Sequence, residues 1–360
     1  MASMDKKEIQ EKIVQDHEQK VSEEEFSYIL KLVAPGTNLR TALEGALKSQ
    51  KGALIVIENE SVPPLLDGGF KLNTKFTPQK LVELTKMDGA IVLSRDMKKI
   101  NYANVLLTPE NKITTQETGT RHKAAERTAK QANTLVIAIS ERKHEISLFY
   151  KNKKHPLVNT NELLRKANEQ IQLLEKQREL FDGNIEKLNM LEIRNYPSLN
   201  QAIQVIQKGY IIQKIADNLK KYIIELGKEG AILKLRLKEL TNEVESETDF
   251  MIKDYTKLNP KRSKILMENL SYEEILDNGR ILEVLGHDET TQKTNLIQGW
   301  RILSKTSLHE SEIAQVISEA GSLGKSLHSN VEFYRKILGE EKAYLLKEEL
   351  NRIKLNNFSN

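Results

Sequence analysis

The sequence predicts a multidomain chain of the α+β/α class, in which an N-terminal α/β domain with a central mixed sheet is followed by helices alone. Short apolar runs alternate with helical stretches as far as residue 150, as in a largely buried sheet. Beyond that point apolar residues such as Leu163, Ala167 and Ile171 recur at helical spacing, which favours long packed helices. The predicted strands cover 52–57, 90–93, 104–107, 135–139 and 146–150, with helices near 38–49, 77–86 and 121–132.

Changes in sequence texture divide the chain into four predicted segments. The N-terminus is polar, and Ser22 and Glu25 have the spacing of a helix-capping box. A basic connector follows the α/β part, and glycines punctuate the last helical part. The segments are an N-terminal tail or helix (1–27), the α/β domain (28–150), a helical spine (151–285) and a second helical domain (286–360).

Composition excludes several classes of function. The 360 residues contain no cysteine, which excludes disulfides and thiolate metal sites and fits a cytoplasmic protein. The 55 basic and 51 acidic residues give a net charge of +4, too small an excess to indicate nucleic-acid binding by itself. The N-terminus lacks a secretory signal, and no apolar run is long enough to span a membrane.

The first candidate site is an Asp-Gly pair at the start of a predicted strand. Asp88 and Gly89 precede the run 90–93, where a carboxylate beside a glycine can hold a metal ion next to a phosphate. An ordinary Asp-Gly turn explains the same residues and is favoured when the motif is taken alone.

The second candidate site is the start of the predicted helix near 121–132. Thr120, Arg121, His122 and Lys123 follow a glycine, and three cations at a helix N-terminus oppose the helix dipole. A bound polyanion would reverse the sign of that effect, because backbone N–H groups and cations would converge on it. A solvated charged helix start is the equally weighted alternative.

The third candidate site follows the predicted strand 135–139. Ser140 and the basic residues Arg142 and Lys143 lie at its carboxyl end, where α/β sheets bind ligands. A hairpin turn into the next strand is the simpler explanation. The residues Asp67 to Phe70 contain paired glycines and indicate a turn only.

Taken together, these segments resemble the diadenylate cyclase domain. The order and spacing of the motifs fit that family across about residues 28–150, and the helical remainder resembles the diadenylate cyclases of the DNA integrity scanning type. The matching segments are Asp67-Gly68-Gly69-Phe70, Met87-Asp88-Gly89-Ala90-Ile91, Tyr102-Ala103-Asn104-Val105, Glu117-Thr118-Gly119-Thr120-Arg121-His122, Ala125-Glu126-Arg127 with Ala129-Lys130-Gln131, and Ile137-Ala138-Ile139-Ser140-Glu141-Arg142.

The resemblance implies an enzyme that condenses two ATP molecules into cyclic di-AMP and releases two pyrophosphates. Two cyclase domains from different subunits would face each other, in a homo-oligomer that the family resemblance suggests is an octamer. The implied catalytic residues are Asp88, Arg121 and His122, and Asp88 would bind Mg²⁺ or Mn²⁺. The implied ATP-binding residues are Gly89, Leu107, Thr120, Arg121, His122 and Ser140.

The sequence departs from the family pattern in two places. The common Arg-His-Arg-Thr motif reads Arg121-His122-Lys123-Ala124, which loses a planar guanidinium and a hydroxyl. The C-terminal helix-hairpin-helix retains only Gly339 of its glycine pair, and glutamates follow that glycine. DNA binding through Gly339 and Lys342 is therefore expected to be weak. A DNA-binding scaffold with an inactive cyclase domain and an ATP sensor without turnover are the alternative functions.

Overall fold

The structure, a computed structural model, describes residues 21–288 and 297–358. Two compact units make up the chain, one of Met1–Ala167 with Lys221–Ile232 and the other of Asn168–Lys220 with Leu233–Asn360. Most of the predicted N-terminal tail lies outside the described residues. The four predicted domain ranges stay predictions, although the sheet continues beyond residue 150 to Leu157.

The first unit is built on a mixed sheet, which in the described part of the chain has eight strands. Strand β1 pairs in parallel with β4, and the other pairings are antiparallel. The strand order is β2-β5-β4-β1-β6-β7-β8, with β3 also paired to β5. The strands are β1 (Ala53–Ile57), β2 (Leu66–Asp67), β3 (Phe70–Lys75), β4 (Ala90–Leu93), β5 (Lys99–Leu107), β6 (Leu135–Ser140), β7 (Glu145–Tyr150) and β8 (Lys153–Leu157).

Helices cover both faces of this sheet, which explains why its central strands are almost continuously apolar. Alternate residues of β1 enter opposite cores. Ile55 packs with helices α1 and α2, whereas Leu54 packs with the alanines of α4. The helices of this part are α1 (Glu23–Leu32), α2 (Asn38–Lys48), α3 (Pro78–Leu84) and α4 (Thr120–Ala132). The predicted capping box is confirmed, since Ser22 and Glu25 satisfy each other's backbone N–H groups at the start of α1.

The remainder of the described chain is helical, as predicted. Two long helices, α5 (Thr160–Ile193) and α6 (Leu199–Leu226), carry the predicted apolar stripes, with Leu163, Ala167 and Leu174 fully buried. None of the helices in residues 21–288 and 297–358 is long and apolar enough to cross a membrane. The other helices are α7 (Ala231–Thr241), α8 (Val244–Tyr255), α9 (Pro260–Glu268), α10 (Tyr272–Leu276), α11 (Asn278–Val284), α12 (Trp300–Leu303), α13 (Glu310–Ala320), α14 (Leu323–His328), α15 (Val331–Leu338) and α16 (Glu340–Phe358).

A buried polar cluster joins the helices of the second unit. The guanidinium of Arg301 at the start of α12 pairs with Glu192 of α5, and both side chains are fully buried. The hydroxyl of Tyr255 donates to the same carboxylate at 2.7 Å. Asp254 accepts the backbone N–H groups of Gly299, Trp300 and Arg301 at 2.8–3.0 Å. Burial and the neighbouring Glu192 charge nevertheless raise the pKa of Asp254 to about 7.

Candidate active site

A cavity of about 790 Å³ opens at one edge of the sheet. Its volume lies within the roughly 300–1,000 Å³ typical of ligand pockets. The ends of β1, β4 and β5, the start of α4, the β6–β7 turn and β8 surround it. Among the predicted site residues, the lining includes Gly89, Leu107, Thr120, Arg121, His122 and Ser140.

The start of α4 supplies the positive end of this cavity. Gly119 precedes the helix with a φ of 83°, a conformation that favours glycine, and no side chain caps the first turn. The first backbone N–H groups of α4 therefore lack the acceptor that a Ser, Thr or Asp cap would provide. Thr120, Arg121 and His122 stand on this uncapped turn and line the cavity. An uncapped helix start beside cationic side chains can bind an anion, and the anion site stays a prediction.

Arg121 lies against the backbone just before β1. A Cβ atom added to Gly52 would come within 1.9 Å of the Arg121 guanidinium. Within the described chain, Arg121 has no hydrogen bond or ion pair to a protein acceptor. A half-buried guanidinium without a protein acceptor is suited to bind an anionic ligand.

His122 is partly buried in the same cavity. Its ring stands edge-on to the ring of Phe149, with 6.3 Å between the centroids. Burial lowers the pKa of His122 below 6.5, and the nearby cations Lys154, Arg121 and Lys143 lower it further against the opposing effect of Glu117. The imidazole is therefore neutral at pH 7, and a bound polyanion would raise its pKa.

Gly89 and Asp88 both precede β4, but only one of the two lines the cavity. Gly89 has a φ of 86°, and a Cβ there would lie 2.8 Å from the backbone of Asn104 in β5. Glycine is thus required by the close approach of β5 as well as by the positive φ. Gly89 lines the cavity, whereas the exposed Asp88 next to it is not part of the lining.

Asp88 can take part in a metal site only together with a ligand. No group of three or more histidine, aspartate or glutamate side chains in the described residues could hold a metal ion alone. Mg²⁺ is commonly held by one or two carboxylates together with substrate phosphates. An exposed carboxylate beside a cationic cavity therefore fits a Mg²⁺ or Mn²⁺ ion that arrives with a nucleotide.

The other two predicted ligands lie on the opposite sides of the cavity. Leu107 ends β5 and is nearly buried, so it can contact a flat ligand mainly through backbone and aliphatic atoms. The Ser140 hydroxyl accepts the backbone N–H of Lys143 at 3.2 Å and shapes the β6–β7 turn. Ala124 also lines the cavity, while Lys123 does not. The threonine hydroxyl that the family motif has at this position is therefore missing from the lining of the cavity, where this chain has Ala124.

Sequence reasoning missed one pair of residues in the cavity. Lys154 of β8 reaches Glu117 with 2.6 Å between Nζ and Oε1. The connector 151–156 was interpreted as polar linker because its lysines and proline do not have the pattern of a strand. Lys154 of β8 lies opposite Phe149 of β7, but this pairing is known only from the folded hairpin. The sequence itself therefore gives no signal for it.

The C-terminal hairpin is the second candidate site. Gly339 joins α15 to α16 with a φ of 84°. Lys342 forms an ion pair with Glu312, and Arg335 pairs with Glu340 at 2.9 Å. Two of the positive charges near the hairpin, those of Arg335 and Lys342, are therefore engaged with carboxylates of the protein.

Comparison with known proteins defines the class to which this fold and cavity belong. Residues 40–154 match the family model of the nucleotide-binding region of the DisA bacterial checkpoint controller. Residues 157–294 match the model of the DisA linker region. Residues 40–154 therefore form a nucleotide-binding diadenylate cyclase domain, and a DisA linker region follows it.

Curated relatives match nearly the whole chain. The DNA integrity scanning protein DisA of Acetivibrio thermocellus is 37% identical over 92% of this chain and 95% of its own length. The DisA proteins of Bacillus licheniformis and Bacillus subtilis are each 38% identical, over 94% and 91% of this chain and 97% and 94% of their own lengths. The chain belongs to the DisA family of diadenylate cyclases.

Proposed function

We propose that the protein condenses two ATP molecules into cyclic di-AMP with release of two pyrophosphates. The 3′-hydroxyl of each ATP attacks the α-phosphate of the other, so each phosphorus exchanges pyrophosphate for a ribose oxygen. The carrying observation is the cavity at the uncapped start of α4, whose charged lining consists of Arg121, Arg142, Lys143, Lys154, Glu117, Glu141 and Glu145. Phosphoryl-type transfer depends mainly on positioning and charge neutralisation, which this cavity can supply.

The proposed residue roles follow from their places around the cavity. Thr120, Arg121 and His122 hold the phosphates, and the Arg121 guanidinium offsets the charge that develops on the leaving pyrophosphate. Ser140 approaches the same phosphates from the β6–β7 turn, and Leu107 packs against adenine. The Asp88 carboxylate orients the attacking hydroxyl and holds Mg²⁺ or Mn²⁺. The bound ion supplies Lewis-acid polarisation of the phosphate.

The reaction requires two cyclase domains, since one cavity of this size holds one nucleotide. The sheet edge beside Gly89 exposes large apolar side chains, with Phe70, Met87 and Leu106 exposed by 53%, 42% and 61%. Strand β3 is almost wholly exposed and pairs with Lys99–Ala103 of β5, whereas Leu106 of β5 pairs with Asp67 of β2. We infer that this face meets the same face of a second copy, as a symmetric dimer requires. An octamer is the larger assembly that the family resemblance suggests.

DNA is proposed as a weak partner of the C-terminal hairpin. Gly339 retains the backbone freedom of such hairpins, but Lys342 is engaged by Glu312. Regulation of the cyclase by DNA would therefore depend on low-affinity contacts.

Product analysis tests the proposed function against its alternatives. Full-length protein is incubated with ATP and either Mg²⁺ or Mn²⁺, and the nucleotides are separated by chromatography. We expect one molecule of cyclic di-AMP for every two molecules of pyrophosphate. ATP binding without product would indicate a sensor, and DNA binding without ATP binding would indicate a scaffold.

A further inference from the structure

One ion pair lies inside the cavity among the candidate phosphate ligands. Lys154 and Glu117 both line it, and 2.6 Å separates Nζ of Lys154 from Oε1 of Glu117. The Lys154 side chain is 42% exposed, whereas Glu117 is 15% exposed. The ammonium therefore stands at the open side of the pair, and the carboxylate lies behind it.

The surroundings of Lys154 place it near the start of α4. Its Nζ lies 5.8 Å from the centre of the Phe149 ring, which is in T-shaped contact with the ring of His122. Lys154 lowers the pKa of His122 more than Arg121 does. The Lys154 ammonium therefore lies close enough to His122 to affect the charge of its imidazole.

A carboxylate in this position opposes the binding of a polyanion. Glu117 adds a negative charge beside the start of α4, in a cavity that Arg121, Arg142 and Lys143 line together with Glu141 and Glu145. Like charges brought together cost binding free energy unless a cation neutralises one of them. Lys154 is the only cation paired with Glu117 in residues 21–288 and 297–358.

We propose that Lys154 is a further ligand of the nucleotide's polyphosphate and that Glu117 pairs with its ammonium only until the polyphosphate displaces the carboxylate. The proposal rests on the proposed function, because it assumes that ATP occupies this cavity. A lysine ammonium rotates freely on a flexible stem, so it can exchange one oxygen anion for another. The alternative is a purely structural pair that fastens the segment before α4 to β8.

The test compares the binding of a non-hydrolysable ATP analogue and of adenosine to full-length variants. Lys154→Met is expected to weaken the analogue about tenfold, in line with the loss of one charge-assisted contact, and to leave adenosine binding unchanged. Lys153→Met is the matched control, since the Lys153 ammonium lies 3.6 Å from the centre of the Phe26 ring and Lys153 does not line the cavity. Thermal unfolding of each variant measures any loss of the fold.

A second variant separates the two roles even if Lys154→Met folds poorly. Glu117→Gln releases Lys154 and removes a negative charge, so the analogue should bind several-fold more tightly than to the unmodified protein. Unchanged or weaker analogue binding by Glu117→Gln would overturn the proposal, as would Lys154→Met binding the analogue as well as Lys153→Met does. Failure of the unmodified protein to bind either nucleotide probe would instead overturn the proposed function itself.

Discussion

At the scale of single residues, Gly52 leaves room for the guanidinium of Arg121 because glycine has no side chain. Gly52 lies under its guanidinium, which has no protein acceptor within the described residues. The clash that a Cβ would create involves the far end of a flexible side chain, so Arg121 would move while the backbone stays. Position 52 therefore affects ligand binding more than folding.

Gly52→Ala should weaken binding of an ATP analogue about tenfold, because it displaces one charged phosphate ligand. The midpoint of thermal unfolding should change little. Gly183→Ala in α5 is the matched control, since a Cβ there meets nothing within 4 Å. Isothermal titration of both variants measures the effect, and equal affinities would show that Arg121 does not bind phosphate.

His122 makes the stability of the protein depend on pH in a defined direction. Its pKa in the folded state lies below the ordinary 6.5, so the unfolded chain binds the proton more tightly. The free energy of unfolding should therefore fall as pH drops through 6.5 and below, and the fall should be smaller in His122→Gln. Urea titrations between pH 7.5 and 5.5, a window of roughly one unit on either side of the ordinary histidine pKa, measure it. If the free energy of unfolding depended on pH equally in His122→Gln and in the unmodified protein, the lowered pKa of His122 would be contradicted.

At the scale of secondary-structure elements, the buried strands were predicted and the exposed ones were not. Strands β1, β4, β6 and β7 are apolar runs, and hydrophobic pattern alone locates them. Strand β3 is almost wholly exposed and β8 carries lysines and a proline, so their sequences resemble loops. They form because β5 and β7 offer unpaired edges, which is a tertiary effect.

Because the sequence shows local patterns and not tertiary contacts, only part of the site was predicted. The start of α4 is a contiguous motif, and its residues do line the cavity. The pairing of Glu117 with Lys154 joins positions far apart in the sequence, and no local pattern carries it. Gly89 was expected to admit a nucleotide, whereas the structure adds the close approach of β5 as a second reason for glycine.

The hairpin between α15 and α16 should bind DNA weakly. Four basic side chains near it are engaged within the protein: Lys342 with Glu312, Lys347 with Ser329, Arg352 with Glu348 and Lys354 with Leu327. Releasing them to phosphate costs those contacts, so we expect affinities of about 10⁻⁴–10⁻⁶ M at physiological salt.

Titration of a labelled four-way junction at two salt concentrations checks this expectation, with strong weakening at the higher salt. Glu340→Gln, which removes the partner of Arg335, should bind somewhat more tightly. Tight binding by the unmodified protein that persists at high salt would show that another surface carries the DNA.

At the scale of the whole molecule, activity should depend on self-association. Each cavity holds one of the two reacting nucleotides, and the apolar face around Phe70 and Leu106 is the proposed contact. A fragment ending at residue 150 would lack β8 and Lys154, so the full chain is the appropriate sample. Specific activity should fall as the full-length protein is diluted below its dimer dissociation constant, measured in parallel by analytical ultracentrifugation. Constant specific activity in a sample shown to be monomeric would exclude the face-to-face arrangement.

The central claim is that cyclic di-AMP is made at this cavity with the help of Asp88. The most direct measurement is the rate of cyclic di-AMP formation by Asp88→Asn in the full-length protein, with Mg²⁺ or Mn²⁺ at saturating ATP. Asp217→Asn in the second unit serves as control, since this exposed residue does not line the cavity and the variant also loses one carboxylate. We predict that Asp88→Asn loses at least about 100-fold in turnover with an unchanged unfolding midpoint, because metal binding and orientation of the hydroxyl are both lost. Turnover of Asp88→Asn equal to that of Asp217→Asn would contradict the account.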